Sequence, residues 1–223
     1  MGEGKGADAL DPFWKRLRRT GARIEAVATD MSQAYIRAVR SHLPDATLVF
    51  DRFHVVKLMN DKLSDLRREL QRQAEADAND VLKGTRWLLL KNSDKLDNAR
   101  EEAARLRQAL ELNAPLAAAY YLKEDLRRLW SQPDKGAGAR FLDGWADRAR
   151  ATGIRQLRQM ATTLSLHRTG LLAYYDVPIT SGPLEGTNTR IQLLKRQAYG
   201  YRDREFFKLR IYALHETRVA LVG

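Results

Sequence analysis

The chain is 223 residues long, 44% hydrophobic and 30% charged, enough for one medium packed domain and too apolar for wholesale disorder. Its 39 lysines and arginines against 28 acidic residues leave a net charge of +11, which fits a polyanionic partner such as nucleic acid, or a solvated arginine-rich surface. The absence of cysteine excludes disulfides and thiolate zinc sites, and the longest apolar run, Trp87-Leu-Leu-Leu90, falls far short of the roughly 20 residues that span a bilayer.

The first residues are polar and glycine-rich with no signal-peptide core, so a cytoplasmic protein without a membrane partner is expected. Residues 10–21 read as a short helix with Asp11 and Pro12 at its start and Gly21 at its end. Residues 23–30 form a short apolar segment ending in Asp30, a strand by pattern. Residues 31–42 are helical, with Tyr35, Ala38, Val39 and Leu43 on one face, and Pro44 ends them. Residues 46–51 make a second buried strand, again ending in an aspartate, Asp51. A long helix is expected from Arg52 to about Ala76. Two strands joined by a helix must be parallel, and both place an aspartate at the C-terminal edge, where open α/β sheets hold ligands.

Residues 80–175 show only helical periodicity, over 81–90, 95–111, 115–130, 139–152 and 154–174, with breaks at Asn92-Ser-Asp94, Asn113-Ala-Pro115 and Ser131-Gln-Pro-Asp-Lys-Gly136. They read as an all-helical insertion behind the second strand. Asp176 to Pro183 form a loop, followed by a helix to about Ala198 that ends at Gly200, and a last helix from about Asp203 to Val219. The expected division is 1–79, 80–175 and 176–223, in a mostly helical α/β chain.

Each carboxylate has two readings. Asp30, with Gln33 three residues on, fits a helix-capping box worth about 1 kcal/mol as well as a metal ligand. Asp51 has the same ambiguity, with His54 three residues later. Glu185, in Ser181-Gly-Pro-Leu-Glu-Gly-Thr-Asn188, fits the positive end of a helix dipole. Helix stability, however, does not ask for Gly186 and Thr187 right behind it; close approach of a ligand or another backbone does. Leu184, Ile191, Leu194 and Ala198 fall on an apolar face, while Glu185, Asn188, Gln192, Lys195 and Arg196 fall near the other. From Glu185 to Arg218 there are eight basic residues against four acidic ones, with Tyr199 and Tyr201 interleaved. Arg190, Lys195, Arg196, Tyr199 and Arg202 are the expected DNA-contacting group, by phosphate contact and base stacking. An ordinary solvated amphipathic helix explains them too.

Several motifs in order carry a resemblance. Val27-Ala-Thr-Asp-Met-Ser-Gln-Ala-Tyr35, Leu43-Pro-Asp-Ala46, Val49-Phe-Asp-Arg-Phe-His-Val55, Arg86-Trp-Leu-Leu-Leu-Lys-Asn92, the Glu185 motif and Leu194-Lys-Arg-Gln-Ala-Tyr-Gly-Tyr-Arg202 together resemble DDE insertion-sequence transposases of the ISL-three type. The resemblance implies a ribonuclease-H-like fold, of which these residues would form a partial core. It implies two aspartates and a glutamate holding two Mg²⁺ or Mn²⁺ ions for in-line displacement at phosphorus. In that pattern Asp30 matches the second aspartate and Glu185 the glutamate. Asp51, His54 and Asn188 take supporting places. The implied partners are transposon-end and target DNA, with self-association in the intact enzyme.

The family's first aspartate sits on an earlier strand, and the nine residues before Leu10 offer no strand to hold it; Asp8 has no strand context. The expectation is therefore a catalytic-domain fragment that does not nick DNA by itself, unless Asp51 stands in as the missing ligand. Two alternatives stay open: a non-catalytic basic DNA-binding remnant, and a helical protein-interaction module.

Overall fold

The computed structural model describes residues 7–73 and 85–216, with the side chains of 7–8, 98, 183–185 and 215–216 outside that description. Helix α1 (Asp11–Thr20) follows a 3-10 turn and is closed by Gly21 in the left-handed region at φ 63°, as Gly21's place in the sequence predicts. It buries only Trp14, whose ring stacks on His42 at 4.6 Å. Strand β1 (Ala26–Thr29) leads to α2 (Gln33–His42), and β2 (Thr47–Phe50) leads to α3 (Arg52–Gln73). The strands pair in parallel, with register Ala26↔Thr47 through Thr29↔Phe50. Both strands are shorter than the sequence pattern suggests: residues 23–25 and 46 precede the paired register, and Asp30 and Asp51 follow it.

Helix α3 buries Val55, Met59, Leu63 and Leu66, spaced four, four and three, so one stripe faces the core. The expected continuation toward Ala76 and the helix expected from Val81 fall partly outside the described residues; the next described helix is α4 (Arg86–Leu90). Helix α5 (Glu102–Glu111) comes after two 3-10 turns, so the segment expected as one helix from Lys95 is broken before Glu102. Helix α6 (Ala114–Leu126) starts under Asn113, whose side chain accepts the Leu116 N–H at 3.0 Å, and ends in a 3-10 turn over Arg127–Ser131. Helix α7 (Lys135–Ala151) is capped by Asp134, which accepts the Ala137 N–H at 2.7 Å. Gly153, at φ 69°, turns the chain into α8 (Arg155–Leu166), and α9 (Arg168–Leu172) comes after a break at His167. Helices α10 (Gly182–Gln197) and α11 (Arg204–Glu216) end the described chain.

Helices α7 and α8 form a tight hairpin, and α3 lies against both α6 and α8. One hydrophobic cluster runs from Ile36 and Phe50 through α3 and α6 to Trp145, Met160 and Leu171. Trp145 is fully buried and its indole N–H donates to the Leu122 carbonyl at 2.9 Å, satisfying the one polar atom of the ring.

Strand β2 packs against α9. That approach depends on Gly170, where a Cβ would meet the Phe50 ring at 2.5 Å. The Trp87-Leu-Leu-Leu-Lys91 motif is held in place by charge. Lys123, nearly fully buried, donates to the carbonyls of Leu89 and Lys91 at 2.8 and 2.9 Å and lies 2.7 Å from Glu124. Lys91 in turn binds both oxygens of Glu102, which also accepts the Asp97 N–H at 2.8 Å. The Lys91 ammonium is the main reason that the Glu102 carboxyl sits below its ordinary range; burial pushes the other way and is outweighed.

Candidate functional site

The parallel register places Asp30 and Asp51 one residue beyond the last strand pair, at the same edge of the sheet. Neighbouring strands lie about 4.8 Å apart. The Asp51 N–H donates to the Thr29 carbonyl at 3.0 Å and extends the ladder by one bond. Thus the geometry brings the two strand-end aspartates side by side.

They are held differently. Asp30 is half-buried and accepts the Ser32 N–H on Oδ1 at 2.9 Å, a local turn bond. It does not cap α2, because Ser32 occupies the N-cap position, so the capping box with Gln33 is not formed. Asp30 Oδ2 has no hydrogen-bond partner among the described residues. Asp51 is 1% exposed and fully engaged. Its Oδ1 accepts the Phe53 N–H at 3.2 Å at the start of α3; its Oδ2 lies 3.3 Å from His54 Nδ1 and accepts the Ser181 hydroxyl. A buried carboxylate is tolerated only with such partners. The His54 ring is otherwise exposed.

The Ser181 bond joins residues 130 positions apart. It seats the loop before α10 on the junction of β2 and α3. Gly182 completes the seat: a Cβ there would come within 3.3 Å of the Phe53 ring, and its N–H donates to Thr180 Oγ1 at 2.9 Å. Helix α10 therefore starts beside the aspartate edge with Glu185 in its first turn. The Glu185 side chain itself lies outside the described residues. Neither Ser181 nor Gly182 stands out in the sequence as a site residue, since a loop hydroxyl carries no signal for a partner so far along the chain.

Helix α10 is largely open to solvent over its described residues. Leu194 is its one buried residue among those described; Ala198, expected on the apolar face, is exposed. Asn188, Arg190, Lys195, Arg196 and Arg202 are exposed, and none of the four cations has an ion pair among the described residues. The helix ends with the Gly200 N–H on the Lys195 carbonyl at 2.9 Å and the Tyr199 N–H on the Arg196 carbonyl at 3.0 Å. This puts Tyr199 in the left-handed region at φ 48°, uncommon for a bulky residue, with its ring wholly in solvent. Tyr201 differs: it stacks on Phe207 at 4.7 Å and belongs to the packing of α11.

Among the described residues, no group of three or more histidine, aspartate or glutamate side chains is gathered closely enough to hold a metal ion. No helix among them is long and apolar enough to cross a membrane.

The family model for ISL3-type DDE transposases, described as "Transposase", matches residues 1–211. The transposase for insertion sequence element IS1001 of Bordetella parapertussis is 37% identical over 217 residues, which is 96% of this chain and 53% of that protein. The transposase for insertion sequence element IS1557 of Mycobacterium tuberculosis is 30% identical over 205 residues, 82% of this chain and 46% of that protein. The chain therefore spans about half the length of the curated relatives it matches. No solved structure matches it.

Proposed function

We infer the function from family membership: the chain belongs to the ISL3-type family of insertion-sequence transposases. The reading we propose is that it forms the C-terminal part of a DDE catalytic domain, with β1 and β2 as part of a ribonuclease-H-like sheet and the helices after α3 as its insertion. The substrate is DNA, at transposon ends and target, in the bacterial cytoplasm and nucleoid.

The observation that carries this reading is the Ser181 hydroxyl on Asp51. It fastens the helix bearing Glu185 to the edge where Asp30 stands. Asp30, with one oxygen free of hydrogen bonds among the described residues, and Glu185 are the residues that would hold the divalent ions. Hard carboxylate oxygens suit Mg²⁺ or Mn²⁺. When bound, the ions would supply charge neutralisation at the scissile phosphate. Asp51 fits a ligand's role poorly, because all its contacts point to positioning: it fixes the start of α3, His54 and the loop before α10. Asn188, one turn beyond Glu185, faces solvent where a phosphate could reach it. Arg190, Lys195, Arg196 and Arg202, with the Tyr199 ring, would then guide the strand away from the site.

The 223 residues hold two of the three carboxylates that this chemistry uses, so we expect them to bind DNA without cutting it. Supercoiled plasmid incubated with the purified chain and Mn²⁺ should stay supercoiled, while a labelled duplex binds with steep salt dependence. Nicked circles that disappear with Glu185→Gln would overturn the expected inactivity. Salt-independent binding would sink the phosphate contacts. The second reading, a DNA-binding remnant without chemistry, is favoured specifically by the exposed cations of α10, which have no ion pair among the described residues. It predicts that Asp30→Asn and Glu185→Gln leave Mn²⁺ binding unchanged, whereas the catalytic reading predicts that each weakens it.

A further inference from the structure

A second concave surface includes Phe53, the ring that Gly182 packs against. It is a cleft of about 740 Å³ between the start of α3 and the end of α6, lined by Arg52, Phe53, Lys57, Arg127, Arg128 and Trp130. The one carboxylate in the lining is Glu124, so four cations face one anion. Glu124 is already shared between Lys123 at 2.7 Å and Arg127 at 3.4 Å, and also accepts the Ser93 hydroxyl at 3.1 Å. Asp125, which pairs with Arg128 at 3.2 Å, is shared with Arg148. Arg52 and Lys57 are exposed and have no carboxylate partner among the described residues. The positive charge of the cleft is thus uncompensated.

Two further features belong to it. Phe53 presents a partly exposed ring with the Arg52 guanidinium 5.1 Å from its centroid. Beneath the surface, the Trp130 indole N–H and the Asn60 side-chain carbonyl are buried with no hydrogen-bond partner among the described residues. Each such orphan is destabilising. One donor and one acceptor left unpaired beside aromatic rings and cations are what a heterocyclic base with a phosphate would satisfy once the side chains above them part. A volume of this order suits one small ligand, and a double helix is far too wide to enter. Aromatic faces reach a base only when it is out of the stack.

We propose that this cleft takes an unpaired nucleotide of a DNA strand, with its phosphates on Arg52 and Lys57 and its base against Phe53 and Trp130. Phe53 lines the cleft and also packs against Gly182, so one ring is shared between the cleft and the Asp51–Ser181 junction. The proposal rests on the reading of the chain as a DNA-acting protein and adds which form of DNA it grips.

The test is fluorescence anisotropy with the 223-residue chain. One labelled duplex is fully paired; the other carries a single unpaired nucleotide. The bulged duplex should bind about tenfold tighter, the order expected for one stacked base. Arg52→Gln with Lys57→Gln should remove most of that preference, and so should Phe53→Leu. Arg105→Gln with Arg107→Gln, exposed cations on α5 with the same change in charge, should leave it intact. Thermal melts check that each variant folds; should Phe53→Leu misfold, the solvent-exposed Arg52 and Lys57 pair carries the test. Equal binding of both duplexes overturns the cleft and leaves the DNA reading standing. Binding of neither overturns the DNA reading itself. Loss of preference in the Arg105 and Arg107 variant, or equal competition by free deoxyadenosine monophosphate, also overturns the proposal.

Discussion

The α7–α9 block and helix α10 draw on similar arginine-rich sequence and use it in opposite ways. In the block, cations find carboxylates: Arg148 pairs with Asp125, Arg155 with Glu69 at 3.0 Å, and Arg168 grips both oxygens of Asp143 at 3.0 and 2.9 Å. The Arg168 guanidinium accordingly holds the Asp143 carboxyl below its ordinary range. Beneath these pairs lies a continuous apolar core. In α10 the core contact shrinks to Leu194, and Arg190, Lys195 and Arg196, with Arg202 just beyond the helix, have no ion pair among the described residues. Surface pairs of the first kind each contribute little, about 0–1 kcal/mol, so the block is held by burial. Part of the net charge of +11 thus stands without ion pairs, among the described residues, on the helix that starts at the aspartate edge.

Three substitutions probe the two regions against each other. Trp145→Ala should have the largest effect. It removes a fully buried ring and its hydrogen bond to the Leu122 carbonyl, at a cost of about 3–5 kcal/mol. Denaturant unfolding should show the block lost, and a small shift would mean that the core does not depend on it. Replacing Arg190, Lys195, Arg196 and Arg202 together by glutamine should weaken duplex binding on the order of a hundredfold at about 0.1 M salt. It should flatten the logarithmic salt slope by roughly three to four. The melting temperature should barely move, since each site is exposed and unpaired. A large fall in stability with unchanged DNA affinity would reverse the roles assigned to the two regions. Gly170→Ala should be the mildest. Its Cβ would sit 2.5 Å from the Phe50 ring, so α9 must back away from β2, at about 1–3 kcal/mol. A thermal melt unchanged from the parent would show that the strand edge yields freely.

The sequence was informative where period and punctuation suffice. Strands ending at Asp30 and Asp51 were legible because short apolar runs between helical segments leave few other arrangements, and a helical crossover makes them parallel. The end of α1 at Gly21 was legible from glycine's tolerance of positive φ. Segmentation within the helical region was less so. The stretch from Lys95 to Glu111 has helical spacing throughout, yet Glu102 is drawn to Lys91 and the Asp97 N–H, and the chain before it coils into 3-10 turns. Likewise the stretch from Ile154 to Tyr174 breaks at His167, where α9 must swing toward β2 to place Gly170 on Phe50.

Residue chemistry and order were enough for the family resemblance, the parallel strand pair and the candidate carboxylates at its edge, because those depend on local pattern. Long-range packing settles which aspartate is available. Asp30 and Asp51 look alike in sequence, each ending a strand before a helix. Both accept a local N–H from two residues on, Ser32 and Phe53; only packing gives Asp51 the Ser181 hydroxyl and near-complete burial, while Asp30 Oδ2 has no hydrogen-bond partner among the described residues. The same is true of the tyrosines after α10: Tyr201 folds into an aromatic stack and Tyr199 is left in solvent. Exposure and long-range hydrogen bonding depend on what arrives from elsewhere in the chain, and no window of neighbouring residues contains that information.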